Sequence, residues 1–163
     1  MRKIFTLLAM ILLANATIAQ EKIPVQFLFS TQRTNDSLVQ FSVSAKLEKG
    51  FQLFGVKKQN AEDAFVSALQ LDETNSARLL DTILEQGKQV QIAAADDANM
   101  IYKVFEDSVR FVYSIKLAAQ DSLIVKGQFN WLGKQADQFP SGSTPLSIEF
   151  TPSISSANGD ESD

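Results

Sequence analysis

The chain has 163 residues, 15 Lys and Arg against 19 Asp and Glu for a formal net charge of −4, and neither cysteine nor histidine. The missing thiol and imidazole exclude disulfide staples, Ser-His-Asp and thiol nucleophiles, and most zinc, copper and haem sites. The acidic balance disfavours phosphate backbones and anionic lipid heads, so neither nucleic acid nor a membrane surface is an expected partner.

Met1-Arg2-Lys3, an apolar run from Ile4 to Leu13 and the small residues Ala14 to Ala19 form a secretory-signal pattern, with cleavage expected after Ala19. Asn15 and Thr17 interrupt the run too early for a membrane-spanning helix, and without cysteine no lipid anchor can be attached. The expected mature chain has 144 residues, with 13 basic against 19 acidic residues and a net charge near −6. That length supports one core held by apolar burial alone. The expected destination is periplasmic or secreted, with no stable membrane insertion once the signal is removed.

From Pro24 onward apolar residues recur with period two, which puts one strand face on a core and the other in water. Val25, Phe27 and Phe29 predict a strand. Thr34-Asn35-Asp36-Ser37 reads as a turn, and Leu38 to Leu47 as its antiparallel return. Glu48-Lys49-Gly50 predicts a second turn before a short strand through Phe51, Leu53 and Val56. Strands are expected from Phe65 to Leu71 and, after a polar loop from Asp72 to Ser76, from Ala77 to Glu85, although the apolar spacing there also fits a short amphipathic helix. Val90 to Ala94, Ile101 to Phe105, Val109 to Leu117, Leu123 to Trp131 and Leu146 to Phe150 complete the pattern. Residues 152–163 form a Ser-rich acidic tail with little to bury. About nine strands separated by turn signals predict an all-β chain folded as a two-sheet antiparallel sandwich, with an up-and-down barrel as the alternative.

The remaining chemistry lies in carboxylates and aromatics. Asp72-Glu73 and Asp96-Asp97 are the paired acids a glycosidase would need, yet adjacent acids in polar stretches are ordinarily solvated turns. Asp96, Asp97 and Asn99, or Asp160, Glu161 and Asp163, offer oxygen ligands without the loop spacing of a dedicated calcium site. No metal or cofactor is expected. Phe51, Phe54, Phe129 and Trp131 read first as sandwich core and second as the lining of a ligand groove. Trp131 stands apart, because the segment Leu132 to Pro140 that follows it reads as a loop at the end of the sandwich.

Three segments share an order and spacing with a known family. They are Val43 to Phe54, similar to a strand followed by Gly-Trp-His-Leu-Tyr; the strand Val109 to Leu117; and Leu123 to Phe129 running to Phe139-Pro140 and the strand Leu146 to Phe150. Over residues 23 to 150 the chain resembles the N-terminal periplasmic domain of the DsbD family of thiol:disulfide interchange proteins. The resemblance implies an immunoglobulin-like β-sandwich over residues 20–151. It also implies a partner that is thioredoxin-like or a membrane thiol reductase, in thiol:disulfide interchange or cytochrome c biogenesis machinery. The family's cysteine pair falls by order near Leu132 and Gln138, and without sulfur no thiolate can attack a disulfide. The expected function is therefore a non-enzymatic adaptor, binding through Trp131, Leu132, Gln138, Phe139 and Pro140. The alternative is a carbohydrate-binding or carboxylate-based hydrolytic protein.

Overall fold

Side-chain chemistry at two turns sets the first three strands. The computed structural model describes residues 23–35, 37–58, 65–76, 78–93, 100–117 and 122–150. The expected signal segment, the Asp96-Asp97-Asn99 cluster and the tail with Asp160, Glu161 and Asp163 lie outside them. Asn35 Oδ1 accepts the Ser37 N–H at 3.0 Å, the local bond that makes Asn a turn former. It joins β1 (Val25–Asn35) to β2 (Leu38–Leu47), which pair antiparallel from Val25↔Leu47 to Asn35↔Leu38. Gly50, at φ 83°, closes the next turn, in which the Phe51 N–H donates to the Glu48 carbonyl at 3.0 Å before β3 (Phe51–Phe54).

After β4 (Ala68–Leu71), the polar stretch expected as a loop forms one helical turn, α1 (Glu73–Ser76). Asp72 Oδ1 caps it by accepting the Asn75 N–H at 2.9 Å. The chain continues through β5 (Leu79–Ala93), β6 (Ile101–Lys116), β7 (Leu123–Gln135) and β8 (Ser141–Phe150). Eight strands thus replace the nine expected. The segments read at 77–85 and 90–94 merge into β5, and those at 101–105 and 109–117 merge into β6. The polar residues Gln86 to Gln89 lie between the two expected segments. Among the described strands, however, β5 pairs with β6 alone, so as an edge strand it carries polar side chains without burying them. The irregularity survives as a register shift between Gly87 and Lys88 opposite Asp107, which sits at φ 62°.

The ladder β1-β2-β6-β5 makes one layer, and β4-β7-β8 makes the other. β3 joins them, pairing Leu53↔Phe105 and Phe54↔Val104 on β6, and Phe51↔Gln135 and Leu53↔Gly133 on β7. The fold is an immunoglobulin-like antiparallel β-sandwich. Its core is aromatic: the fully buried Phe129 of one layer stacks on Phe111 of the other at 5.6 Å and tilts against Phe27 at 5.2 Å. Tyr113 packs against Phe41 at 6.1 Å, and its Oη is buried with no hydrogen-bond partner. Burial, with a smaller contribution from the Glu85 charge, pushes the Tyr113 phenol well above its ordinary range.

Two substitutions test this account. Phe129→Ala removes the ring that spans the layers and is expected to cost about 3–5 kcal/mol in urea unfolding. Tyr113→Phe deletes a buried, unpartnered hydroxyl and is expected to leave stability unchanged or raise it by about 1 kcal/mol. A marked loss from the second change would mean that the hydroxyl is satisfied in solution.

Candidate functional site

The segment expected as a loop after Trp131 is a tight hairpin. Strand β7 runs on to Gln135, and Gln135 and Gln138 each donate an N–H to the other's carbonyl at 3.0 Å. The turn therefore consists of Ala136 and Asp137, with Ala136 at φ 52°, a conformation that suits glycine better than alanine. The register continues from there: the Gly133 N–H donates to the Pro140 carbonyl at 2.8 Å, and Leu132 pairs with Ser141.

Residues opposite one another in an antiparallel ladder share a face, and the face alternates along each strand. Leu132, Lys134 and Phe139 therefore lie on one face of the hairpin, and Trp131, Gly133, Gln138 and Pro140 on the other. The two positions equated with the cysteine pair, Leu132 and Gln138, are on opposite faces and do not oppose one another.

The inner face belongs to the core. Trp131 is 7% exposed, with its indole 6.1 Å from Phe51 in an edge-on contact and 6.4 Å from Phe27. It supports the hairpin from inside and offers no surface to a partner. Gly133 is needed here, because a Cβ would overlap the Phe51 ring.

The outer face builds a second apolar cluster. Phe54 and Val104 are paired across β3 and β6, and both are fully buried, although they point away from the sandwich core. Three rings cover Phe54: Phe65 at 5.6 Å, Tyr102 at 5.9 Å and Phe139 at 6.3 Å. Phe65 also meets Tyr102 at 5.0 Å and Phe139 at 5.6 Å. Phe139 is 46% exposed, and the exposed Met100 accepts the Tyr102 O–H on its sulfur at 2.8 Å. Half-exposed Leu132 shares this face, and Pro140 is half-buried beneath the turn. Gln138 is exposed.

A polar margin borders the patch. Gln52 Nε2 donates to Glu106 Oε1 at 2.9 Å, while Lys88 Nζ lies 3.1 Å from Glu106 Oε2 and 3.7 Å from Asp107. The Gln52 bond, followed by that of Lys88, holds the Glu106 carboxyl below its ordinary pKa. The Glu106 bond, aided by the Asp107 charge, raises Lys88 above its own.

Sequence reasoning singled out Phe54 and Phe139 but missed Phe65, Tyr102 and Met100. The available signal was parity: Tyr102 and Val104 alternate with the core residue Phe105, so β6 carries apolar groups on both faces at this end. The acids proposed for hydrolysis have another task or another place. Asp72 caps α1, and its Oδ1 also accepts Asn75 Nδ2 at 2.7 Å. Glu73 is exposed, and Asp96-Asp97 lies outside the described residues. Among the described residues no three His, Cys, Asp or Glu side chains cluster to hold a metal. Among them, too, no helix is long and apolar enough to cross a membrane.

No protein-family model and no curated protein matches the chain. Solved structures do. The N-terminal domain of Neisseria meningitidis DsbD in the reduced form aligns with a TM-score of 0.48 at 14% identity, over 77% of this chain and 90% of that one. The GAE domain of yeast GGA1 aligns with a TM-score of 0.35 at 12% identity, over 78% and 96% respectively.

Replacing Ala136 by Gly relieves the left-handed strain of the turn and is expected to stabilise the domain by about 1 kcal/mol in chemical denaturation. The exposed Glu106 pair gives a small pH effect. Because the folded pKa is depressed, the pair's contribution is complete above the ordinary glutamate pKa and is lost as pH falls through the depressed value. Glu106→Gln is therefore expected to lower the neutral plateau slightly and leave the acid end nearly unchanged, so that the acid limb flattens, as thermal melts across pH would show.

Proposed function

We propose that this chain is an exported, cysteine-less binding module of the DsbD N-terminal type, which docks a partner on the aromatic patch of β3, β6 and the β7–β8 hairpin. The observation that carries the reading is Phe54. A fully buried ring on the outward side of a strand, covered by half-exposed rings, is a small apolar centre with an aromatic rim, and binding hot spots concentrate in such centres. Phe139 is the exposed member, with Leu132 beside it and Gln138 and Pro140 shaping the turn behind it. The partner class follows from the sequence resemblance: a thioredoxin-like protein or a membrane thiol reductase of thiol:disulfide interchange or cytochrome c biogenesis. The role is adhesion, since the chain has no thiolate of its own with which to exchange electrons.

The test is capture from envelope extract by residues 20–163 as bait, compared with Phe139→Ser and Gln138→Ala. Recovery of a thioredoxin-like or membrane thiol-reductase protein, reduced about tenfold by Phe139→Ser, is the expected result. Trp131→Ala serves as a folding control, because it removes a core ring. Equal recovery by the parent and Phe139→Ser, or recovery of no such protein, would overturn the reading.

A further inference from the structure

Away from the aromatic patch, the outer face of the first layer carries an open groove of about 720 Å³ across β1, β2, β5 and β6. The ladder aligns Leu28, Ser44, Arg110 and Gln86 in one row across the four strands, and places Lys46 beside Ser108 in the next row. Leu28 is 69% exposed, a large apolar side chain on the edge strand β1, facing solvent.

The charge of the groove runs against that of the chain. Arg110 and Lys46 both line it, and its one carboxylate, Asp107, is held by Lys88 at 3.7 Å. Arg110 is preorganised: its Nη2 donates to Ser42 Oγ at 2.9 Å, and Ser42 is buried beneath it. One guanidinium edge is thereby fixed and the remaining donors are left to a ligand, the geometry in which arginine recognises carboxylates. Lys46 has no ion-pair partner among the described residues.

The spacing selects the ligand. Lys46 and Arg110 are diagonal neighbours on adjacent strands, which places them roughly 7–8 Å apart. Side chains on the same face of an extended peptide repeat about every 6.6 Å, two residues along the chain. We propose that this groove binds an extended acidic segment of a partner protein, with carboxylates at positions i and i+2 on Arg110 and Lys46 and an adjacent apolar side chain on Leu28. This surface is distinct from the aromatic patch, and the proposal does not depend on the docking described above.

The probe is a short fluorescein-labelled peptide with two glutamates separated by one residue among Ser, Val and Leu, titrated into the full chain and followed by anisotropy. Saturable binding that weakens with salt is expected, with affinity falling about tenfold for Arg110→Gln and about threefold for Lys46→Gln. The same peptide with glutamines, or with the two glutamates adjacent, is expected to bind more weakly. Lys46→Gln breaks no ion pair among the described residues, so it remains informative if Arg110→Gln perturbs the fold. Equal binding of the glutamate and glutamine peptides, or unchanged affinity in both variants, would overturn the proposal. A chain with Asp160, Glu161 and Asp163 neutralised separates the sources of acid. Unchanged peptide affinity supports a partner segment, and a gain of about tenfold would assign the groove to the chain's own tail instead.

Discussion

Strand β3 has four residues, and the two layers are tied to each other through them. Leu53 pairs with Phe105 on one side and Gly133 on the other, so a single position is shared between two ladders. β6 leaves β2 and takes up β3 between Ser108 and Phe105, where Asp107 adopts a positive φ and the β5 ladder shifts register. β7 in turn exchanges β4 for β3 between Asn130 and Gly133. The buried Ser67 fills that second gap, donating its hydroxyl to the Phe54 carbonyl at 2.8 Å and accepting the Leu132 N–H at 3.3 Å. A serine thus satisfies backbone groups that no strand reaches, as a buried ladder end requires.

The same short strand explains why the molecule has two apolar regions. Its alternate side chains cannot share a face, so Phe51 and Leu53 enter the sandwich while Phe54 leaves it. Phe51 meets Trp131 in the interior, and Phe54 meets Phe65, Tyr102 and Phe139 on the exterior. The exterior cluster is thus held in place by the core it is separate from. A side-chain cluster built on strand residues is positioned more rigidly than one on a free loop. The hairpin that carries Phe139 gains the same rigidity, because its inner face is anchored by Trp131 and by the contact of Gly133 with the Phe51 ring.

Without cysteine, the chain stabilises this arrangement by ring packing between layers and by local polar bonds at the seams. Charged groups are kept to margins, where Glu106, Lys88 and Gln52 form a screened network beside the patch. The outer groove follows a different logic. There Ser42 fixes Arg110 on an otherwise solvated sheet face, so one cation is held in geometry while the chain as a whole is acidic.

Much of the fold was legible in the residues themselves. The period-two alternation of Val25 to Phe29, Leu38 to Leu47 and Val109 to Leu117 identified strands and their buried sides, because a pleated chain half in water must alternate. Asn35 and Gly50 marked turns through their own backbone chemistry. Polar Gln86 to Gln89 misled, since an edge strand need bury neither face and so leaves no periodic trace. The stretch from Leu132 to Pro140 misled for a related reason: its inward side is occupied by glycine beneath an aromatic ring, which reads as loop until the Phe51 ring is in place. Sequence alone therefore determined the fold class, the turns at Asn35 and Gly50, the absence of thiol and imidazole chemistry, and the prominence of Phe54, Phe139 and Trp131. Tertiary structure decided that Trp131 belongs to the interior, that Leu132 and Gln138 face opposite ways, and that Phe65 and Tyr102 join Phe54. Which face of a strand meets which neighbour depends on register across ladders, and register is a property of strands far apart in the chain.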